Sequence, residues 1–69
     1  MKISARNILK GKVTEIVTGA TTSHVRIDID GGAIVTASIT NEAVADLLLE
    51  KGKQAYAVIK DSDVMVGID

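Results

Sequence analysis

The chain has 69 residues, 46% of them hydrophobic, and this length allows one domain with a small core, because such chains bury only about 60% of their unfolded surface. Eight basic and nine acidic residues give a formal net charge of -1, which excludes an overall field that attracts nucleic acid or an anionic membrane. No cysteine is present, so disulfides and thiolate metal sites are excluded, and one tyrosine is the only aromatic residue. We therefore expect the chain to gain stability as a homo-oligomer.

The sequence has no apolar signal-peptide core near its N-terminus and no run approaching the ~18 apolar residues of a membrane span. The default expectation is a soluble cytoplasmic protein with no membrane partner.

Alternation of apolar and polar residues predicts strands along the first half of the chain. The first strand is predicted from Lys2 to about Val17, with Gly11 marking a bulge or a close backbone approach in its interior. After a turn, Ser23–Asp30 alternates clearly, and Gly31-Gly32 predicts a hairpin into a third strand, Ala33–Ile39. These three strands are expected to form an antiparallel meander.

The second half begins with a predicted helix from Thr40, its N-cap, to about Lys51, with Gly52 as the left-handed C-cap residue. Lys53–Lys60 then reads as a strand, and Val64–Ile68 as a last apolar strand. Five or six short strands with one helix after the third long strand are the order of an OB-like barrel. The predicted fold class is therefore all-β with one short helix.

Two short segments carry candidate oxyanion donors. Ser4-Ala5-Arg6-Asn7 places a hydroxyl, a planar guanidinium and a carboxamide together, and guanidinium suits a bidentate grip on an oxyanion. Lys60-Asp61-Ser62 adds a point charge, a hydroxyl and the free N–H groups of a turning backbone. Taken alone, the first segment is more typical of a solvated strand end than of a binding site. An inward Asp61 carboxylate would repel a dianion and favour a protonated phosphate.

Both segments, together with Leu-x-Gly-x-Val in Ser4–Val13, the Gly31-Gly32 pair and Lys60–Met65, resemble the molbindins. These are small Mop-type molybdate- and tungstate-binding proteins, whose domain recurs in molybdate-responsive regulators and transporter ATPases. The resemblance covers the chain as a single domain, 1–69. Asp61 departs from it, because a small neutral residue is expected after the lysine.

The resemblance implies a homohexamer built as a trimer of dimers, with molybdate or tungstate held between subunits by Ser4, Arg6 and the Lys60 region. A neighbouring copy's Thr40-Asn41 is a further expected wall, since the N–H groups at a helix start favour an anion. No organic cofactor, no directly ligated metal cation and no enzymatic activity are expected.

Other polar residues have simpler interpretations. His24 has no second histidine and no cysteine to share a metal, so a solvated or interface role is preferred. Asp28, Asp30, Asp61 and Asp63 lack calcium-type spacing and are typical of a solvated face. Nucleic-acid binding by an OB-like fold needs exposed aromatics over a basic groove, and both are missing.

Two functions remain open at this point. The first is storage of molybdate or tungstate at subunit interfaces. The second is an oligomeric interaction module, in which the same motifs assemble subunits and binding of sulfate, phosphate or another anion is incidental.

Overall fold

Four antiparallel strands form one curled sheet in the order β3-β2-β1-β4 in the computed structural model, which describes residues 1–69. The elements are β1 (Asn7–Thr18), β2 (Thr22–Ile29), β3 (Ala33–Thr40), helix α1 (Asn41–Asp46), β4 (Gln54–Ile59) and a 3-10 turn (Asp61–Asp63). The predicted meander is confirmed, since β1 pairs with β2 and β2 with β3. β4 returns to pair with the first half of β1, so β3 and β4 are the free edges of the sheet.

Strand β1 is the centre of the sheet and contains both irregularities that shape it. Gly11 is buried against β2. A Cβ added at this position would lie 2.3 Å from the carbonyl oxygen of Asp28, which confirms the predicted close approach. A bulge follows between Val13 and Glu15. The extra residue keeps both Val13 and Ile16 against the core, three positions apart.

The core is small. Only four apolar residues are buried, namely Val13, Val25, Ile27 and Ala57. A ring of partly buried residues surrounds them, and it contains Ile16, Ile29, Val35, Ile39, Val44, Leu49 and Ala55. Four of the ring residues come from the inward faces predicted for β2, β3 and β4, whereas Ile16 lies on β1, Val44 on the helix and Leu49 in the loop after it. The chain exposes 5465 Å², whereas a compact monomer of 7.2 kDa exposes about 4,100 Å².

The helix is shorter than predicted. It begins after Thr40, whose hydroxyl accepts a hydrogen bond from the Ala43 N–H at 3.0 Å, but it ends at Asp46 rather than near Lys51. Leu48 takes the left-handed conformation that ends the helix, with φ 53°, and Gly52 has a positive φ of 91° in the turn that follows. Lys53 stabilises this ending because its ammonium group donates to the carbonyls of Leu47 and Leu48 at 3.1 and 2.9 Å.

Two strand predictions were wrong in extent. β1 begins at Asn7 rather than Lys2, because its partner β4 ends opposite that residue, at Ile59. Val64–Ile68 forms no strand, because no strand of the same chain pairs with it, and the structure has four strands rather than five or six. Its large apolar side chains are exposed, with Met65 and Val66 at 92% and Ile68 at 95%.

Candidate oxyanion site

The two predicted donor segments lie at the same end of the sheet. β1 and β4 are antiparallel, and their last pair joins Asn7 to Ile59. Arg6 directly precedes Asn7, and Lys60 directly follows Ile59, so both charged residues lie at this end of the strand pair. We call this region, which comprises Ser4–Asn7 and Lys60–Ser62, the donor end. The register thus places Arg6 and Lys60 at the same end of the sheet, although more than fifty positions separate them in the sequence.

Asn7 fixes the geometry of the donor end. Its side-chain amide donates to the carbonyl of Ile59 at 3.2 Å and to Oδ1 of Asp61 at 3.3 Å. Both N–H groups of this amide are thereby used within the chain. Asn7 therefore acts as a brace between the start of β1 and the end of β4, rather than as a free donor.

Asp61 opens the 3-10 turn that follows β4, and Lys60 precedes that turn in an extended conformation with φ -64° and ψ 142°. The turn is closed by the Asp63 N–H, which donates to the Lys60 carbonyl at 2.9 Å. The N–H groups of Asp61 and Ser62 come first in this turn and have no acceptor within it. Backbone donors therefore accompany the side chains at the donor end.

The remaining polar side chains of the donor end have no partner within the chain. Ser4, Arg6, Lys60 and Ser62 are exposed, and none forms a side-chain hydrogen bond or an ion pair. The one ion pair of the chain joins Arg26 to Glu15 at 3.7 Å, on the solvent-facing side of the sheet. Ala5 is half-buried and contributes only its backbone. Two unpaired cations thus stand beside free N–H and hydroxyl donors.

Thr40 and Asn41 lie at the opposite end of β1, near the turn that leads into β2. We call this region, which comprises the Gly19–Thr22 turn with Ser23 and Asn41, the turn end. The Asn41 amide donates to the Gly19 carbonyl at 3.0 Å, and its oxygen accepts from the Ser23 hydroxyl at 2.6 Å. The Thr40 hydroxyl caps the helix. The chain does not bring Thr40 and Asn41 to its own donor end.

The sequence interpretation missed Ser23. This residue is 1% exposed and is the only buried polar side chain. Its position was a usable signal, because Ser23, Val25 and Ile27 share one face of an alternating strand. A hydroxyl on a core-facing position needs a partner, which Asn41 supplies.

The acidic residues and His24 form no metal site. No group of three or more His, Asp or Glu side chains is placed to hold a metal ion. His24, Asp28 and Asp30 are exposed. No helix of the chain is both long enough and apolar enough to cross a membrane.

Comparison with known proteins identifies the family. Residues 3–66 match the TOBE domain. A probable molybdenum-pterin-binding protein of Haemophilus influenzae is 52% identical over 69 residues, which cover both chains fully. The molybdate-bound structure of the cytoplasmic molybdate-binding protein ModG has a TM-score of 0.95 at 46% identity, over 100% of this chain and 49% of that one. MopII from Clostridium pasteurianum has a TM-score of 0.92 at 40% identity, over 97% of this chain and 100% of that one.

These similarities confirm the OB-like fold class, although the strand count is lower than predicted. They also place the chain among binding and regulatory domains rather than among enzymes. The TOBE match spans nearly the whole sequence, and relatives of the same length are molybdenum-pterin-binding proteins. The chain therefore belongs to the TOBE-domain family and, within it, to the molbindins.

Proposed function

We propose that the chain binds molybdate or tungstate reversibly at interfaces between its own copies and stores the oxyanion in the cytoplasm. The observation that carries the proposal is the donor end, where unpaired Arg6 and Lys60 flank the last pair of β1 and β4. The names of the relatives support the choice of ligand, since ModG is a molybdate-binding protein. No catalysis and no organic cofactor are part of this function.

The chemistry of the donor end suits a tetrahedral dianion. Arg6 offers a planar fork of N–H groups, and Lys60 offers a compact ammonium charge. The hydroxyls of Ser4 and Ser62 and the backbone N–H groups of Ala5, Asp61 and Ser62 add short neutral donors. Molybdate and tungstate carry no proton at neutral pH, so a shell of donors satisfies all four oxygens.

The shape of the chain supports a site shared between copies. The donor end is exposed, so a single copy leaves a bound anion open to water, which weakens each charge interaction. The chain also exposes about 1,300 Å² more than a compact monomer of its mass, an excess comparable to the area that each subunit buries in an obligate oligomer. A second copy covering this surface would enclose the donor end as well.

An apolar groove of about 810 Å³ lies on the concave face of the sheet, between the free edges β3 and β4. Its walls include inward residues of both edge strands, such as Val35, Ala37, Ala55 and Ala57. We assign its occupant as a second copy of this chain, through the apolar tail Val64–Ile68. The tail has the length of a short strand and its apolar side chains are exposed, so it can add to a free sheet edge.

A homohexamer arranged as a trimer of dimers satisfies these requirements, because paired copies exchange tails and neighbouring pairs enclose the donor ends. In such an assembly Thr40-Asn41 of a neighbouring copy can form a further wall of the site, although the Asn41 N–H already donates to the Thr21 carbonyl at 2.9 Å. Their side chains already have partners within the chain and are not needed as ligands.

The binding proposal is tested by isothermal titration of the purified protein with molybdate, tungstate, sulfate and phosphate, with its mass measured by light scattering in the same buffer. We expect saturable binding of molybdate and tungstate, weaker binding of sulfate and phosphate, and a hexameric mass.

Arg6→Ala should weaken molybdate binding by at least ~100-fold, as expected for loss of a charged, bidentate partner. Arg26→Ala is the matched control, because it removes another exposed arginine far from the donor end and should leave affinity unchanged. An unchanged affinity of Arg6→Ala contradicts the proposal.

Assembly is tested separately with Val66→Asp. This side chain is 92% exposed within the chain, so the substitution should not unfold it, but a carboxylate in an apolar groove should prevent tail docking. We expect a lower mass by light scattering. Val17→Asp, at an exposed valine outside the groove, should keep the wild-type mass.

The second candidate function is an oligomeric interaction module, and the extent of the apolar groove and tail is the observation that favours it. It predicts a hexamer whose mass and thermal stability are unaffected by any of the four anions. A rise in Tm of several degrees at saturating molybdate contradicts this alternative, because only a ligand that binds the folded state raises stability.

A further inference from the structure

A carboxylate stands inside the donor end. Asp61 directly follows Lys60, and its Oδ1 accepts a hydrogen bond from the Asn7 amide at 3.3 Å. The same amide donates to the Ile59 carbonyl at 3.2 Å, so one oxygen of the exposed Asp61 carboxylate is tied to the start of β1. No cation of the chain forms an ion pair with it. Its negative charge therefore forms no direct ion pair, although Arg6 and Lys60 lie at the same end of the sheet.

We propose that Asp61 is a specificity-determining residue of the oxyanion site: its carboxylate weakens the binding of fully deprotonated dianions and lessens the disadvantage of an oxyanion that carries a proton. This inference rests on the proposed function, since it concerns the same site. Asp61 stands where a small neutral side chain is expected after Lys60. The proposed anion preference is therefore a property of this chain rather than one shared by every protein with this fold.

Two physical effects act on a bound anion, and only the second distinguishes a protonated one. The first is Coulomb repulsion, which acts on every dianion, doubly charged hydrogen phosphate included, and which grows as a covering subunit excludes water. The second is hydrogen bonding. With Oδ1 engaged by Asn7, Oδ2 makes no hydrogen bond within the chain, so its lone pairs are available as acceptors to a bound anion. Molybdate, tungstate and sulfate have no proton to donate to them, whereas hydrogen phosphate has one.

The negative charge of Asp61 can be removed without removing the hydrogen bond that Asp61 accepts from Asn7. Asp61→Asn keeps a side-chain oxygen that can accept from the Asn7 amide, and it replaces the negative charge with a neutral group that donates. Asp63→Asn is the matched control. It removes the same charge two residues further along, at the end of the same turn, from a side chain that makes no hydrogen bond.

The experiment is isothermal titration of the full-length wild-type, Asp61→Asn and Asp63→Asn proteins with molybdate, tungstate, sulfate and phosphate at one pH and one ionic strength. We expect Asp61→Asn to tighten molybdate, tungstate and sulfate by on the order of tenfold, and phosphate by clearly less. Asp63→Asn should change all four affinities by less than about twofold. Far-UV circular dichroism and light scattering establish that each variant keeps the wild-type fold and mass.

The outcomes separate this inference from the function on which it rests. If the wild type binds molybdate and Asp61→Asn binds it no more tightly than Asp63→Asn does, the inference is overturned and the proposed function stands. If all four anions gain equally, the charge acts but the specificity claim is overturned. If the wild type binds none and Asp61→Asn binds molybdate, the inference is supported in its strongest form. If neither protein binds any anion, both proposals are overturned.

Discussion

The turn end and the donor end terminate the same central strand, and both are rich in small polar side chains and amides. At the turn end, Asn41 bonds to both the Ser23 hydroxyl and the Gly19 carbonyl, and the hydroxyl is buried. At the donor end, Arg6 and Lys60 have no partner within the chain, and only Asn7 and Asp61 form side-chain hydrogen bonds. Polar residues of similar type thus have a structural role at one end and remain available for a ligand at the other.

This difference shows how function is recognised in so small a protein. A polar side chain with all its hydrogen bonds satisfied inside the chain contributes to folding, and its loss destabilises. A cation exposed without a partner contributes little to stability, so its placement needs another explanation. Substitutions at the two ends should therefore separate stability from affinity, when unfolding is measured at one fixed protein concentration.

The largest effect on stability is expected at Gly11, which lies between the two ends. Gly11→Ala places a Cβ 2.3 Å from the Asp28 carbonyl oxygen, a backbone atom that cannot move without separating β1 from β2. We expect a loss on the order of 3 kcal/mol in the free energy of unfolding, measured by urea denaturation. Gly67→Ala, with no atom near the added Cβ, is the matched control. Equal stability of the two variants would contradict the close approach.

The next effect is expected at the turn end. Asn41→Ala removes both side-chain bonds and leaves the buried Ser23 hydroxyl without an acceptor. The expected cost is about 2–3 kcal/mol of unfolding free energy by the same assay. A cost below that of Asn7→Ala, which removes one amide from the more exposed donor end, would contradict the assignment of the turn end as structural.

A smaller loss is expected for Ser23→Ala. The hydroxyl disappears from a site that is 1% exposed, whereas Asn41 is only half-buried and can partly bond to water instead. We expect about 1–2 kcal/mol. The double variant Ser23→Ala/Asn41→Ala should cost less than the sum of the two single variants, because each removes the same 2.6 Å bond. Additive losses would show that the bond contributes nothing.

The smallest effect on stability is expected for Arg6→Ala at the donor end. Arg6 has no partner within the chain, so without anion the unfolding free energy should stay within about 0.5 kcal/mol of wild type. The comparison is sharpened by adding saturating molybdate, which should raise the Tm of wild type and of Arg26→Ala but not of Arg6→Ala. A large loss of stability without anion would make Arg6 a structural residue.

Much of the sheet was predictable because strand alternation is local. Val25, Ile27 and Ile29 were assigned to one face from spacing alone, and the structure places them together. The helix ending was not predictable in the same way. Gly52 does have a positive φ, but the helix ends earlier, at Leu48 in the left-handed conformation, with the Lys53 side chain donating to the last carbonyls. That contact depends on how the loop packs, which residue preferences do not encode.

The structure of the tail and of the donor end could not be predicted from local sequence patterns, because it depends on long-range interactions. Val64–Ile68 has a strand's composition, but a strand requires a partner, and the chain offers none. Bringing Arg6 beside Lys60 requires the β1–β4 register, which was reached through resemblance rather than through spacing. Which of the seven predicted donor-end residues contact an oxyanion stays a prediction.

The sequence separation between bonded residues differs between the two ends. The Asn41 contacts close loops of 18 and 22 residues, whereas the Asn7–Ile59 contact closes one of 52. Loop-closure entropy makes the longer loop costlier by about 0.8 kcal/mol, and such long-range pairings form slowly. Local opening should therefore begin where β4 leaves β1, and a bound oxyanion would slow amide hydrogen exchange most along that pair of strands.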